Sequence, residues 1–305
     1  MSLAEQERDV EPAGAATRRG MGMKGHLGLL LLLTLPSFGL ARSWLRPSVI
    51  GGHEAKPHSR PYMVYIHFAR AGACGGALLH KRWVLTAAHC VPPGTKAVGT
   101  VVVGLHRLQD HGVATQTFTI QAACRHPGYN DQTLENDLLL LQLKGTVTLS
   151  RTRQVVRLLG REPAAGTACS LAGWGTRGHG ELSSTLQEME VEVLDTRMCN
   201  NSRFWNGEIA PTMICFQGRH RGSAPTKGDS GSPLVCGKRA AVAGVMSFSS
   251  KKATDPFKPP VATSAVKHKK WIRKTLRRGC GSPQPGRTGQ RDHPLLFTQG
   301  SSPAP

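Results

Sequence analysis

Residues 228–233 read Gly-Asp-Ser-Gly-Ser-Pro, so that a serine stands between two glycines. Glycine adopts the backbone conformations that tight turns require, and such a turn exposes the hydroxyl of Ser230. The backbone N–H groups of Gly228 and Ser230 can then point at a negative charge that develops on a bound carbonyl oxygen. Because glycine and serine are common in turns, this stretch alone makes Ser230 only a candidate nucleophile.

Two motifs upstream supply the partners that a serine nucleophile needs. His89 lies in Leu-Thr-Ala-Ala-His-Cys at 85–90, where it can act as a general base, although a lone histidine is more often structural. Asp137 opens a run of four leucines, and a carboxylate beside a buried strand is costly unless it is hydrogen-bonded. Asp137 is therefore either a strand cap or the residue that orients an imidazole. The order His89, Asp137, Ser230 within one chain predicts a catalytic triad.

Outside these motifs the chain consists mainly of short apolar runs bounded by turn residues. About a dozen of them lie between residues 49 and 278, with almost no helical periodicity, and they include the runs at 117–120, 168–173 and 233–236. This pattern predicts an all-β fold, either a sandwich or a barrel. The one helix that the spacing of apolar residues predicts spans 264–278.

The N-terminal residues predict a secreted protein. An apolar run at 27–35 follows Lys24 and His26 and ends before small residues at 39–41, which is the layout of a secretory signal. The run is too short to cross a bilayer, and no other run approaches the length of a membrane span. We expect a leader and signal at 1–41, a pro-segment at 42–48, a folded domain at 49–278 and a disordered tail at 279–305.

The cysteines indicate disulfides. Eight of them follow the predicted signal, and a secreted chain of this kind is expected to oxidise them. None has the Cys-x-x-Cys spacing typical of zinc sites, so we expect no metal. An Asn-Asn-Ser sequon begins at Asn200 and predicts glycosylation there, the alternative being a sequon that is not used.

The chain is strongly basic, with 39 lysines and arginines against 19 acidic residues and a net charge of +20. A field of this size favours polyanions such as sulfated glycans, although a basic surface without a dedicated ligand is the simpler interpretation. No recognised nucleic-acid-binding module is present, so specific nucleic-acid binding is not expected. The predicted helix carries seven basic residues and no acid: Lys267, Lys269, Lys270, Arg273, Lys274, Arg277 and Arg278.

Taken together, the motifs resemble those of the trypsin- and chymotrypsin-like serine proteases, and within that family those of the granzymes. The resemblance extends from Val49 to Arg278. It implies two packed six-stranded antiparallel β-barrels with a C-terminal helix. Besides the three motifs above, it is carried by Val-Ile-Gly-Gly at 49–52, Pro-His-Ser-Arg-Pro-Tyr-Met at 57–63, Cys-Gly-Gly at 74–76, Ala-Gly-Trp-Gly at 172–175 and the stretches 195–207 and 257–263.

The resemblance also implies a function. It is that of a secreted serine endopeptidase of cytoplasmic secretory granules, which cleaves protein substrates through an acyl-enzyme in cytotoxic-lymphocyte killing and immune defence. No cofactor is implied, and the further partners are a sulfated proteoglycan and serpin-type inhibitors. Some relatives are catalytically weak or inactive cationic proteins with glycan-binding or antimicrobial roles, and that alternative stays open for this chain.

The roles of the motif residues follow from the same resemblance. Ser230 attacks the scissile carbonyl, His89 accepts its proton and delivers it to the leaving amine, and Asp137 orients the imidazole. Gly228 and Ser230 provide the oxyanion hole.

An activation step is implied as well. Cleavage after Ser48 frees the α-ammonium group of Val49, which inserts and pairs with Asp229. Because a buried carboxylate without a cationic partner is expensive, the uncleaved chain is expected to have a misformed oxyanion turn.

The resemblance further predicts the substrate preference. The floor of the specificity pocket is Ala224, where a preference for Lys or Arg would need an aspartate. Ser249 and Pro260 narrow the pocket walls, and Lys227 and Ser247 are further substrate-binding positions. We expect a slender apolar residue, Met or Leu, before the scissile bond.

Three positions depart from the family pattern. Ser232 replaces a glycine, which strains the chain beside the nucleophile if the backbone there has a φ that only glycine adopts. Thr226 and Ala253 stand where the family has a disulfide between the pocket walls, so a looser pocket is expected.

The remaining disulfides implied by the resemblance are Cys74–Cys90, Cys169–Cys236 and Cys199–Cys215. Cys124 and Cys280 have no family partner. They pair with each other, pair between chains or stay free, and the sequence does not choose.

Overall fold

A computed structural model describes residues 50–281, apart from residues 71, 177–179 and 221. The predicted leader and signal, the pro-segment and all but the first three residues of the predicted tail lie outside the described residues. The helices are α1 (Thr196–Cys199) and α2 (Lys269–Arg278), and a short 3-10 turn spans Ala88–Cys90. The strands are β1 (His53–Glu54), β2 (Met63–Phe68), β3 (Gly72–His80), β4 (Trp83–Thr86), β5 (Gly99–Val103), β6 (Gln116–Arg125), β7 (Leu139–Leu143), β8 (Arg157–Leu158), β9 (Ala168–Gly173), β10 (Gln187–Val193), β11 (Met213–Gly218), β12 (Pro233–Cys236), β13 (Ala241–Phe248) and β14 (Val261–Ser264).

The strands form two closed antiparallel barrels. The first has the order β2-β3-β4-β7-β6-β5, and β5 closes it by pairing with β2. The second has the order β10-β11-β14-β13-β12-β9, and β9 closes it by pairing with β10. The short strands β1 and β8 add to the edges of the second barrel. The expected architecture of two six-stranded barrels with a C-terminal helix is confirmed.

The four leucines after Asp137 explain how that carboxylate comes to lie in the interior. Leu138 to Leu141 are all at most 1 % exposed, and β7 is paired on both sides, with β4 and with β6. A continuous apolar run is typical of a strand that is covered on both faces. Asp137 lies two residues before Leu139, where this strand begins, and is therefore buried with it.

The C-terminal helix begins later than the apolar spacing predicts. Ser264 is the last residue of β14, and α2 starts only at Lys269. The residues between them bind the barrel instead of forming helical turns, because the N–H of Ala265 donates to the carbonyl of Ala243 at 2.9 Å. The prediction of a helix from 264 was wrong at this end and agrees with the structure at Arg278.

The structure contains four disulfides, and the described residues include no free cysteine. Cys124 is bonded to Cys280, which fixes the end of α2 to β6 of the first barrel. The other three bonds are Cys74–Cys90, Cys169–Cys236 and Cys199–Cys215. None of the helices in the described part of the chain is long and apolar enough to span a membrane.

Candidate active site

His89 lies in the 3-10 turn that follows β4 and is held by Asp137 at two points. Its ring Nδ1 lies 2.7 Å from Asp137 Oδ2, and its backbone N–H donates to Asp137 Oδ1 at 2.9 Å. The carboxylate accepts at Nδ1, so the proton of a neutral ring is on Nδ1 and the lone pair is on Nε2. The Nε2 atom of His89 is therefore available as a base.

A third donor completes the surroundings of Asp137. The hydroxyl of Ser247, on β13, donates to Asp137 Oδ2 at 2.5 Å. The Asp137 side chain is fully buried, whereas that of His89 is 25 % exposed. These three contacts hold the Asp137 carboxylate in a single orientation. Ser247 was predicted only as a substrate-binding position, and its contact with the triad could not be read from the sequence.

Ser230 lies in a turn between two glycines with positive φ, Gly228 at 98° and Gly231 at 81°. The turn packs directly on β3 and on the end of β4, the strand that precedes His89. The carbonyl of Ser230 accepts from the N–H of Gly75 at 2.8 Å, and a Cβ on Gly231 would come within 2.2 Å of Thr86 Oγ1. Only glycine fits at position 231, both for its φ and for this close approach.

The backbone N–H groups that were predicted to form an oxyanion hole have no acceptor among the described residues. Neither Gly228 nor Ser230 donates its backbone N–H to another residue of the described ranges. Within the same ranges Ser230 Oγ makes no hydrogen bond with His89, a contact that often tightens only when substrate is bound. The site thus has its base oriented and its backbone donors free.

The Asp229 side chain is bound by the segments that carry Gly175 and Thr226. It is fully buried, and its carboxylate accepts from the N–H of Gly175 at 3.0 Å and from the N–H and hydroxyl of Thr226 at 2.8 and 3.1 Å. Burial raises the pKa of Asp229 to about 6 despite these hydrogen bonds. No ion pair in the described part of the chain involves it. Val49, its expected partner, lies outside the described residues.

The residue that follows Val49 is nevertheless in place beside the pocket. The carbonyl of Ile50 accepts from the N–H of Ala224 at 3.0 Å, which forms an isolated β-bridge. Thr226 occupies the position of a lost half-cystine and uses its hydroxyl on Asp229. This role of Thr226 was missed, because a threonine three residues before an aspartate carries no distinctive signal.

A cavity of about 460 Å³ opens next to Ser230. Of the predicted substrate-binding residues, Lys227, Ser247 and Ser249 line it. Ala224 and Pro260 are buried and do not line it; Ala224 is only 2 % exposed and directly precedes the lining residue Pro225. No acidic side chain is present in the lining. The lining residues are Ile50, Thr176, Pro225, Thr226, Lys227, Ser230, Met246, Ser247, Phe248, Ser249, Ser250, Lys251 and Ala253.

A second cavity of about 600 Å³ shares the segment from Phe248 to Lys251 with the first. Leu134 and Trp205 line it, and Leu134 has a positive φ of 54°. The indole of Trp205 packs edge-on against Phe248 at 5.2 Å. The two cavities therefore adjoin along residues 248–251, and the first of them reaches Ser230. No motif in the sequence indicates Leu134 or Trp205 as a cavity residue.

Ser232 does not have the strained backbone that its replacement of glycine suggested. The non-glycine residues with positive φ in the described ranges are His58, Leu134, Asn136 and Asn206. The cost at Ser232 is of another kind, because its hydroxyl is fully buried and has no hydrogen-bond partner among the described residues. The hydroxyl occupies the space beside Gly75, where an added Cβ would lie 2.1 Å from it.

The side chain of Asn200, at the predicted sequon, binds the backbone of Ile209 through both ends of its amide, at 3.2 and 2.9 Å. The described residues contain no cluster of three or more side chains that could hold a metal ion.

The comparisons with known proteins define the class. The family profile named Trypsin matches residues 49–272. The chain belongs to the trypsin family, and it is a chymotrypsin-like serine endopeptidase. The structure is similar to that of neuropsin, a serine protease expressed in the limbic system of mouse brain, with a TM-score of 0.66 and 32 % identity over 74 % of this chain and 98 % of that one.

Within the family the chain is of the granzyme type. It is 49 % identical to granzyme M of Rattus norvegicus over 261 residues, which is 84 % of this chain and 99 % of the relative. It is 48 % identical to granzyme M of Homo sapiens over 262 residues, which is 85 % of this chain and 100 % of the relative. The resemblance deduced from the motifs is confirmed.

Proposed function

We propose that this endopeptidase uses His89, Asp137 and Ser230 as its catalytic triad and cleaves after Met or Leu. The observation that carries the proposal is the contact of 2.7 Å between His89 Nδ1 and Asp137 Oδ2, which leaves Nε2 of His89 available as the base for Ser230. Labelling of Ser230 by an organophosphonate tests it. Failure of the processed protein to react would remove the triad assignment.

In the proposed mechanism one proton moves from Ser230 to His89 and then to the leaving amine. Ser230 Oγ attacks the carbonyl carbon of the scissile bond while His89 Nε2 accepts the hydroxyl proton. The backbone N–H groups of Gly228 and Ser230 bind the oxyanion of the tetrahedral intermediate. The imidazolium then protonates the leaving amine, and the acyl-enzyme is hydrolysed by water in a repeat of the same steps. Asp137 stabilises the imidazolium in both halves of the reaction.

The substrate preference rests on the cavity beside Ser230. Its lining offers apolar surface at Met246 and Ala253 and basic groups at Lys227 and Lys251, with no carboxylate. A buried cation without a counter-charge is strongly disfavoured, whereas an unbranched apolar chain needs only contact surface.

A library of peptides that differ only at the residue before the scissile bond should show Met and Leu favoured over Arg by roughly 100-fold or more in kcat/KM. The matched variant is Ala224→Asp, which supplies a carboxylate directly before the lining residue Pro225 and should raise cleavage after Arg. Equal cleavage after Arg and Met by the unmodified protease would contradict the proposed pocket.

We further propose secretion, storage in cytoplasmic granules and a role in lymphocyte killing and immune defence, which the similarity to granzymes and the N-terminal sequence support. Sulfated proteoglycan is the proposed granule partner, and serpin-type inhibitors are the proposed regulators. Glycosylation at Asn200 remains part of the proposal.

The proteoglycan proposal predicts a specific dependence on the C-terminal helix. Replacing the exposed residues Lys270, Arg273 and Lys274 together by Gln should weaken heparin binding and lower the slope of log affinity against log salt by about 3, one for each cationic side chain that is replaced. The control removes the same charge elsewhere, at the exposed residues Lys56, Lys144 and Arg151. An equal loss of affinity in both variants would show that only net charge matters.

A catalytically weak cationic binding protein is the second candidate. The observation that favours it is the buried, unpartnered hydroxyl of Ser232 two residues after the nucleophile. A polar group of this kind costs about 1–3 kcal/mol, and it lies two residues after Ser230 in the same turn.

Removal of the Ser232 hydroxyl tests whether this group is unpaired and destabilises the fold. Ser232→Ala should raise the free energy of unfolding by about 1–2 kcal/mol, measured by denaturant unfolding, because it deletes the unpaired oxygen and keeps the Cβ contacts. Ser59→Ala, at an exposed serine, should stay within about 0.5 kcal/mol of the parent. A destabilised Ser232→Ala variant would mean that the hydroxyl has a partner.

A further inference from the structure

The contacts of His268 place two oxygens against its two ring nitrogens. This residue lies between β14 and α2 and is only 6 % exposed. Its Nδ1 lies 2.6 Å from the carbonyl oxygen of Ser264, and its Nε2 lies 2.8 Å from Oδ1 of Asn136. Neither oxygen has a proton to donate.

The orientation of the Asn136 amide is fixed by its other end. Nδ2 of Asn136 donates to the carbonyl of Gly128 at 2.8 Å. Rotating the amide would place its oxygen against that carbonyl oxygen, so Oδ1 must face His268. A neutral imidazole has one N–H donor, whereas the imidazolium has two. Only the doubly protonated ring satisfies both oxygens.

The neighbouring histidine is in the opposite state. His126, at the end of β6, packs edge-on against the His268 ring with 4.7 Å between the centroids. Its Nδ1 accepts from the N–H of Gly128 at 3.2 Å, so this nitrogen carries no proton. Burial, together with the charge of His268, lowers the pKa of His126 to about 4. A neutral ring beside His268 allows that residue to carry the charge.

The other charged groups near His268 either point elsewhere or are negative. The ammonium groups of Lys267 and Lys269 bind the carbonyls of Pro211 and Gly160, away from the ring. Glu162 accepts from the hydroxyl of Ser264, whose carbonyl His268 contacts. Glu135 and Asp137 flank Asn136 in the chain.

Asn136 links His268 to the triad. It has a left-handed φ of 55° and directly precedes Asp137. A non-glycine residue keeps this conformation only when side-chain contacts hold it, and asparagine does so more readily than most. Asp137 must meet the backbone and the ring of His89 with separate oxygens, a geometry that a small rotation of the chain at Asn136 would break.

We propose that His268 is a positioning residue of the triad: its imidazolium donates to Ser264 and Asn136 and thereby holds Asn136 in the left-handed conformation that aims Asp137 at His89. The inference rests on the triad roles proposed above. It assigns no contact between His268 and substrate. Its effect is on kcat, because the pocket that sets KM is formed by other residues.

The first measurement is independent of activity. In processed protein with ¹⁵N-labelled histidine, the ring signals of His268 are identified as those missing from the His268→Gln variant. Both ring nitrogens should be protonated at the pH at which the protease is assayed. A neutral ring with a single N–H would overturn the proposal.

The second measurement is a double-mutant cycle. His268→Phe should lower kcat roughly 10-fold and leave KM within about twofold, and Asn136→Ala should do the same. The double variant should be no worse than either single one. Multiplicative losses in the double variant, or a His268→Phe enzyme with the parent kcat, would overturn the proposal.

Two further variants guard against a folding defect and separate the two proposals. His268→Gln keeps an uncharged N–H donor for Asn136, so it should recover part of kcat and restore the downfield proton signal of the His89–Asp137 hydrogen bond. His111→Phe, at an exposed histidine, should match the parent. A parent protein that fails to label at Ser230 would overturn the triad assignment, whereas a labelled parent together with an unperturbed proton signal and kcat in His268→Phe would overturn only the role of His268.

Discussion

Asp137→Asn should lower kcat about 10,000-fold, the loss known for this change in the serine protease triad. The amide oxygen of Asn can replace Oδ2 and accept from His89 Nδ1 and the Ser247 hydroxyl, but the NH₂ group would then face the backbone N–H of His89, which is also a donor. The side chain therefore turns, and the ring of His89 takes the tautomer whose Nε2 carries the proton. In that tautomer His89 cannot accept the proton of Ser230. Steady-state kinetics with a Met or Leu peptide measure the loss.

The control for this change is Asp131→Asn, at an exposed aspartate in the preceding loop, which should leave kcat within about twofold. The organophosphonate reaction of Ser230 should slow in parallel with kcat, because it uses the same base. An Asp137→Asn enzyme that retains a tenth or more of the parent kcat would mean that the carboxylate is only a strand cap, the alternative that the sequence left open.

The β-strands of the barrels could be predicted because most of them coincide with a short apolar run in the sequence. The runs at 168–173 and 233–236 agree with β9 and β12 to the residue, since apolar side chains begin and end where pairing does. The strand β6 extends five residues beyond the predicted run at 117–120, because a bulge between Ile120 and Ala122 interrupts the alternation and hides the continuation. Register and closure of the barrels required the structure.

The site could be predicted where its residues lie in local motifs and not where they meet only after folding. His89, Asp137 and Ser230 each occupy a recognisable stretch. The hydroxyl of Ser247 reaches Asp137 across 110 positions of chain, and Cys124 finds Cys280 across 156. No spacing rule connects residues so far apart, because the barrels' closure alone decides which of them become neighbours.

Retention of Ser48 before Val49 should lower kcat/KM by roughly 100- to 10,000-fold relative to the chain that starts at Val49. The range corresponds to about 3–5 kcal/mol, the usual cost of leaving one member of a buried ion pair without its partner. The three hydrogen bonds that Asp229 accepts from Gly175 and Thr226 do not replace a cation, because its pKa is still raised to about 6 by burial. The comparison is made with the two purified forms and one peptide substrate.

Because of Asp229, the stability of the precursor and that of the processed form should depend differently on pH. The pKa of Asp229 without a cation is about 6 in the folded chain, against 3.8 as the ordinary value. The folded precursor therefore holds its proton more tightly than the unfolded chain, and its stability falls as pH rises from about 4 to about 6. Above pH 6 the loss is complete and amounts to roughly 3 kcal/mol. In the processed form the Val49 ammonium favours the ionised carboxylate, so this loss should disappear.

Denaturant unfolding of the precursor at pH 4 and pH 7 measures the effect, and Asp229→Asn in the precursor is the matched control. The neutral amide has no proton to lose, so the variant should lack the part of the pH dependence that Asp229 causes and should be the more stable of the two precursors at pH 7. It should nevertheless remain inactive after processing, because no carboxylate is left to receive the Val49 ammonium. A precursor whose pH dependence equals that of its Asp229→Asn variant would show that Asp229 already has a cationic partner before cleavage. Activation would then have to act through another group.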